Sequence, residues 1–306
     1  MKRTLPWMAC LGLALVVGLA KLGDHHWGLE LLSHFQAHAL GAALVVTGGS
    51  MAAGARGAAL LAALLGLAHG GSLWEAPAPG APRAGPSLRV VVSNVSIDNH
   101  DRSLPRRLVD RYDPDVLGFL EVNDRWARVL DEALVGHPHR LVETRPHHFG
   151  LALYSRLPLE RAQVRWVNEE HHPALLARVR VGGTESWLLL AHPHPPLSAR
   201  TSALRDRQLA SLARIRQRHP GPFVLLGDLN ATPWSPAFRR LRRAAGLADS
   251  RNGHGWQPTW PVPLAFAGLP LDHVLVSPEW RTRERRTGPA VGSDHLPVFA
   301  ELVLGH

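Results

Sequence analysis

The chain has 306 residues, a formal net charge of +9 and one cysteine, Cys10. A lone cysteine excludes a disulfide framework and a cysteine-based zinc site within the chain. The length admits one large domain with an appendage, and the first quarter is far more apolar than the rest.

That first quarter contains three apolar runs, 5–22, 35–55 and 57–74, the first preceded by Lys2 and Arg3. A basic start and an apolar core also suit a secretory signal followed by a buried Ala/Gly-rich hairpin. Three runs close to the ~20 residues of a membrane span favour three transmembrane helices instead. Trp7, Trp27 and Trp74 fall near run ends, where interfacial tryptophan is common. Segment 21–34, with Lys21, Asp24 and Glu30, reads as a loop between spans. Lys2, Arg3 and Arg56 orient the helices by the positive-inside rule, with the N-terminus in the cytoplasm. The remainder then lies on the extracytoplasmic side of an inner or plasma membrane. Residues 75–86 are a Pro/Ala/Gly spacer, and a soluble domain spans 87–306.

That domain holds 29 arginines, no lysine and 22 acids, a net charge of +7. Such charge suits a phosphate-bearing partner or an anionic membrane surface, although arginine-biased composition accounts for it equally. The pattern predicts strands at 88–92, 116–120, 151–154, 177–181, 187–191, 223–226, 273–276 and 298–304. Helices are predicted at 102–111, 124–134, 198–218 and 236–245. Strands outnumber helices and often come in adjacent pairs, as around the hairpin turn Gly182-Gly183. This favours an α+β sandwich over a doubly wound parallel sheet.

The chemistry lies at strand ends. Asn94 follows the first strand, Glu121 the second and His192 the fifth. Asp228 and Asn230 follow the apolar run 223–226. Two apart on an extended backbone, they face the same side. Asp272 opens the strand 273–276, and Asp294-His295 precedes the last strand. One such placement is ordinary. Several suggest one site at one edge of the sheets.

In order, Asn94, Pro114-Asp115-Val116-Leu117 leading to Glu121, Tyr154-Ser155-Arg156, His192, Gly227-Asp228-Leu229-Asn230, Leu271-Asp272-His273 and Ser293-Asp294-His295 resemble the endonuclease/exonuclease/phosphatase superfamily. The resemblance covers about 88–304. It implies a four-layer α/β sandwich of two packed sheets flanked by helices, here preceded by transmembrane helices, and a metal-dependent hydrolase of phosphoric esters. Glu121 then resembles the main Mg2+ ligand, with Asn94 and Asp294 beside the metal and Mn2+ as an alternative ion. Hard oxygen donors suit Mg2+. His295 resembles the base that activates water, and Asp272 the acid that orients it. Asp228 and Asn230 resemble the groups that hold the phosphate and assist the leaving oxygen. His192 resembles the donor to a non-bridging oxygen, and Arg156 a supporting brace. Leu120 and Ser96 depart from the family pattern, which often has Gln and Asn there. His194, His147-His148 and His171-His172 read as loop residues. The loop aromatics Trp256, Trp260 and Phe266 suit either substrate contact or packing.

Two substrate classes stay open. The basic domain leans towards DNA or RNA. A membrane anchor favours a phospholipid, phosphoinositide or sphingomyelin-type headgroup. Two other classes compete: a catalytically silent membrane-anchored binding module, and a small transport protein. The matched positions are intact, against the first. The apolar runs carry almost no charge, against the second.

Overall fold

The computed structural model of the chain describes residues 4–73 and 84–305. Most of the spacer 75–86, and Trp74, lie outside the described residues. The chain opens with α1 (Thr4–Ala20), α2 (Trp27–Ser33), α3 (Gln36–Ala52) and α4 (Arg56–Leu73). Small residues let α1, α3 and α4 approach closely. Cys10 packs with Ala55, Ala58 and Ala62, and a Cβ on Gly66 would stand 3.2 Å from that of Ala43.

Helices α1 and α3 are shorter than the runs 5–22 and 35–55, and α4 matches the 18 residues of 57–74 in length. No single helix among the described residues is long and apolar enough to cross a membrane. At 1.5 Å per residue α1 extends about 25 Å, against the ~30 Å of a hydrocarbon core. Only α2 and α3 taken together, across a 59° bend, reach the required length and apolarity.

Segment 21–34 is not a plain loop, because α2 forms there and docks on the remainder of the chain. Glu30 pairs with Arg205, and both are buried. His34 Nδ1 lies 3.1 Å from Thr232 Oγ1, and Trp234 Nε1 donates to the His34 carbonyl at 2.9 Å. Asp24 pairs with Arg240. Two of the charges that make this segment look like a loop, Asp24 and Glu30, are the ones that attach it. Arg205→Ala would leave Glu30 buried without its cation. The expected loss is about 3–5 kcal/mol of stability, read by denaturant unfolding, with faster proteolysis around residues 21–34. Unchanged unfolding would show that the pair contributes nothing.

After the spacer come β1 (Ser87–Asn94), α5 (Leu104–Tyr112), β2 (Val116–Leu120), α6 (Asp124–Ala133), β3 (His139–Glu143) and β4 (Leu151–Ser155). Next are β5 (Glu160–Trp166), β6 (Pro173–Val181), β7 (Thr184–Ala191), α7 (Ala199–Gln217), β8 (Phe223–Asp228) and α8 (Pro236–Ala245). The chain closes with β9 (Ala248–Asp249), β10 (Asp272–Val276), β11 (Trp280–Thr287) and β12 (Val298–Leu304).

The strands form two mixed six-stranded sheets, ordered β11-β12-β1-β2-β4-β3 and β5-β6-β7-β8-β10-β9. The β1–β2 and β7–β8 pairs are parallel. Val90 and Val92 of β1 meet Leu188, Leu190, Val224 and Leu226 between the sheets. Val91 points outward to α5 and α6, and Phe223 and Leu225 point outward to α7 and α8. Strands buried on both faces read as unbroken apolar runs, which is why β1, β2, β7 and β8 stand out in the sequence. The result is a four-layer α/β sandwich.

Candidate active site

The register brings the candidate residues to one edge. Asn94 pairs with Leu120 across β1 and β2, so Glu121 follows beside it. Asp272 and Asp228 are register partners across β10 and β8. Parallel β7 and β8 both end there, so His192 follows Ala191 next to Asp228. Glycine is required at 227: a Cβ there would come 1.9 Å from the Ala191 carbonyl oxygen. Its absence lets β8 lie close to β7 and sets the approach of Asp228 to His192.

A continuous set of polar contacts crosses the cleft. Asn94 Nδ2 donates to Glu121 Oε1 at 3.0 Å, and the Ile97 amide donates to Oε2 at 3.1 Å. His148 Nδ1 lies 2.8 Å from Oε2. An ionised carboxylate only accepts, so that nitrogen carries the proton. His192 Nδ1 donates to the His148 carbonyl at 3.0 Å, leaving Nε2 at 3.5 Å from Asp228 Oδ2. On the other side of Asp228, His295 Nε2 is 3.7 Å from the same oxygen. His295 Nδ1 lies 2.8 Å from Asp272 Oδ2.

The partners of the acids fix their geometry. Asp228 Oδ1 accepts from the Asn230 amide at 2.9 Å, and Asn230 Nδ2 donates to the Pro193 carbonyl at 3.0 Å. Thr259 Oγ1 accepts from the Asp272 amide at 3.2 Å, and Arg285 donates to the Asp272 carbonyl at 3.1 Å. Glu121 and Asn230 hold positive φ values of 62° and 48°, conformations uncommon for residues with a Cβ. Asp294 is exposed at the rim, accepting from Trp260 Nε1 at 3.1 Å.

Burial sets the charge states, opposed by local partners. Burial disfavours an ionised Glu121, yet His192, His148, Asn94 and the Ile97 amide hold its carboxyl below the usual range. Burial likewise opposes an ionised Asp228, which His295 and His192 override. Both histidines are raised. Burial works against the His295 imidazolium, but Asp272, Asp228 and Asp294 lift its pKa to about 10. Asp228 and Glu121 raise His192 against the same burial.

A folded pKa above the ordinary 6.5 stabilises the fold fully below about pH 6.5, and that contribution fades as pH rises through 10. Melting temperatures across that window should therefore fall less in His295→Gln than in the wild-type chain. Equal slopes would refute the raised value.

The structure thus brings Asn94, Glu121, His192, Asp228, Asn230, Asp272 and His295 together, with Asp294 beside them. Arg156 is elsewhere. Ser155 pairs with Val116 at the start of β2, the opposite end from Glu121. Arg156 pairs there with Asp113, bracing the turn into β2 rather than the cleft. His148, read as a loop residue, touches Glu121, and no local pattern in the sequence reveals this. His172 and His194 also converge. With Glu170 they bring ligating atoms within 4.8 Å of one another, as do Asp228, Asp272 and His295. Glu121 and Asn94, joined at 3.0 Å, offer hard oxygen donors of the kind Mg2+ takes, while Asp294 stands at the rim beside His295.

Among solved structures, the chain is similar to an endonuclease/exonuclease/phosphatase from Beutenbergia cavernae, with 23% identity, TM-score 0.59 and 72% of each chain covered. It is similar to D. rerio TDP2 complexed with a single-strand DNA product, with 16% identity, TM-score 0.60 and 71% and 98% coverage. It is also similar to a sphingomyelinase C from Streptomyces griseocarneus, with 18% identity, TM-score 0.52 and 71% and 99% coverage. At these identities the likeness is one of fold. No curated protein sequence is similar enough to count as a relative. The family match runs over residues 94–295, beginning and ending on residues of the cleft. The chain belongs to the Endonuclease/Exonuclease/phosphatase family.

Proposed function

We propose that the chain is a membrane-tethered hydrolase of phosphoric esters that uses Mg2+, with Mn2+ as the alternative ion. The observation that carries this reading is the Asp272–His295 pair, whose free Nε2 faces Asp228 in the cleft shared with Asn94 and Glu121. A buried carboxylate on Nδ1 fixes the tautomer and turns Nε2 to the substrate. Bound at Glu121, Asn94 and Asp294, a divalent cation would polarise the phosphoryl group and offset the carboxylate charge that keeps His295 protonated.

His295 Nε2 then takes a proton from water as its oxygen attacks phosphorus. The ester P–O bond breaks, the leaving alkoxide takes up a proton from solvent, and the His295 imidazolium returns the proton it accepted to solvent. His192 donates to a non-bridging oxygen, stabilising charge that grows in the transition state. Asp228 holds both imidazoles in place, and Asn230, fixed on Pro193, borders the leaving group.

The tether rests on α1, α3 and α4. Leu5, Met8, Leu11, Leu15, Leu44, Val45, Leu60, Leu64 and Leu67 are each more than half exposed on them. Apolar patches of that kind mark membrane or protein contacts. The orientation proposed has the N-terminus and Arg56 inside and the catalytic domain outside.

The test uses full-length protein in lipid nanodiscs with bis(p-nitrophenyl) phosphate and p-nitrophenyl phosphate. Hydrolysis abolished by EDTA and restored by Mg2+ or Mn2+ supports the reading. Hydrolysis unaffected by EDTA, or none on any ester, rejects it. A reporter active only outside the cytoplasm, fused after His306, should be active.

A further inference from the structure

Beside the catalytic histidine lies a cavity of about 380 Å³ that no step above uses. Two parts of the chain build it. Leu31, His34 and Phe35 come from the docked α2 and its junction with α3. Pro195, Pro196, Leu197, Trp260, Leu269 and Leu271 come from the loops that carry His192 and Asp272. Asn230 and His295 line it as well. Its walls are otherwise almost wholly apolar, apart from His34, whose Nδ1 is engaged by Thr232. Its volume lies in the ~300–1,000 Å³ range of small-molecule sites.

We infer that this cavity takes the apolar chain of a lipid phosphoester, placing the headgroup phosphorus at His295. The inference rests on the phosphoester-hydrolase reading and assigns its substrate class. Three observations carry it. The cavity opens onto the catalytic residues, so its occupant and the reacting group belong to one molecule. Leu197 is 77% exposed and Phe35 50% exposed, which gives the cavity an apolar rim. Finally, α3 continues from that rim into the exposed apolar helices. A chain drawn from a bilayer therefore meets apolar surface along its path to the cleft.

The charges argue against a nucleic acid at this cleft. Nucleic-acid binding relies on cations along the phosphates, and neither lysine nor arginine lines the cavity. The cluster Arg239, Arg242 and Arg243 lines a different cavity with Ala248 and Pro278. Ala248 pairs with Val276, at the far end of β10 from Asp272. Arg178, Arg180 and Arg200 are committed to Glu160, Glu185 and Glu170.

The test compares methyl, octyl and dodecyl p-nitrophenyl phosphate, below their critical micelle concentrations, with full-length protein in nanodiscs. Each buried methylene should raise kcat/KM by up to ~4-fold, from about 0.8 kcal/mol per methylene. Leu31→Trp fills the cavity, and Leu197→Asp charges its rim at an exposed position that does not threaten folding. Both should flatten the chain-length dependence. Equal kcat/KM for the three esters overturns the inference while leaving the hydrolase reading intact. So does faster cleavage of single-stranded DNA that Leu31→Trp does not alter. A diazirine-tagged dodecyl phosphate gives a readout that needs no turnover. Photolabelling mapped to Leu31, Phe35, Leu197 or Leu269 supports the cavity, and labelling confined to α1, α3 and α4 overturns it. Absence of hydrolysis on every ester, with the cavity still labelled, overturns the hydrolase reading alone.

Discussion

His295→Ala is expected to lower kcat/KM on a phosphodiester by at least ~10²–10⁴-fold, the usual contribution of a general acid–base group. Added Mg2+ should not restore it, because the missing element is the proton acceptor rather than the ion. Circular dichroism should show a retained fold, since His295 lies at the edge of the sheets. Asp272→Asn should be milder. A neutral partner at 2.8 Å no longer favours the imidazolium, so the His295 pKa falls. The base is then free at lower pH, and the acidic limb of the pH–rate profile moves down. Near-normal turnover in folded His295→Ala would remove it as the base and put His192 in its place.

Glu121→Gln is expected to act through the metal instead. The change keeps one oxygen and the side-chain size but removes the charge that four neighbours hold ionised. The Mg2+ concentration for half-maximal rate should rise by more than the ~10–100-fold that loss of an outer metal partner usually produces. Raised Mg2+ should recover part of the rate, in contrast to His295→Ala. His148→Ala should shift the same curve less far, because it removes one donor and leaves the charge. An unchanged metal requirement in Glu121→Gln would exclude Glu121 as a ligand.

Much of the fold is legible in the sequence where strands are buried on both faces. β1, β2, β7 and β8 show as apolar runs, and the acids at their ends show as the site. β3, β5 and β11 do not show. They are partly exposed strands rich in charge: Glu160–Trp166 carries Glu160, Arg161 and Arg165, and in Trp280–Thr287 the single apolar residue is Trp280. Arg178 joins β5 and β6 through Glu160, and Arg283 joins β11 to β12 through Glu301. Such pairing across strands leaves no local periodic signal. α2 is hidden for a related reason. Glu30 looks like a solvent-facing charge until Arg205, 175 residues away, buries it. His148 and Leu31 depend on contacts of the same long range.

The docked α2 also changes what the connection between Leu73 and Ala84 does. The helices and the catalytic domain are joined twice, once through that covalent connection and once through Glu30, His34 and Trp234. A segment bridging two points that are already fixed does not determine their separation. Its closure cost grows by only about 0.6 kcal/mol for each doubling of its length. Lengthening 75–86 therefore costs little stability. One residue inserted within α2 between Glu30 and Leu31, in contrast, would change the helical register of Glu30 against Leu31 and Phe35, so that the Arg205 pair and the cavity wall beside His295 could not both be kept. The reach of the active site above its helices is set by a side-chain register, not by a tether.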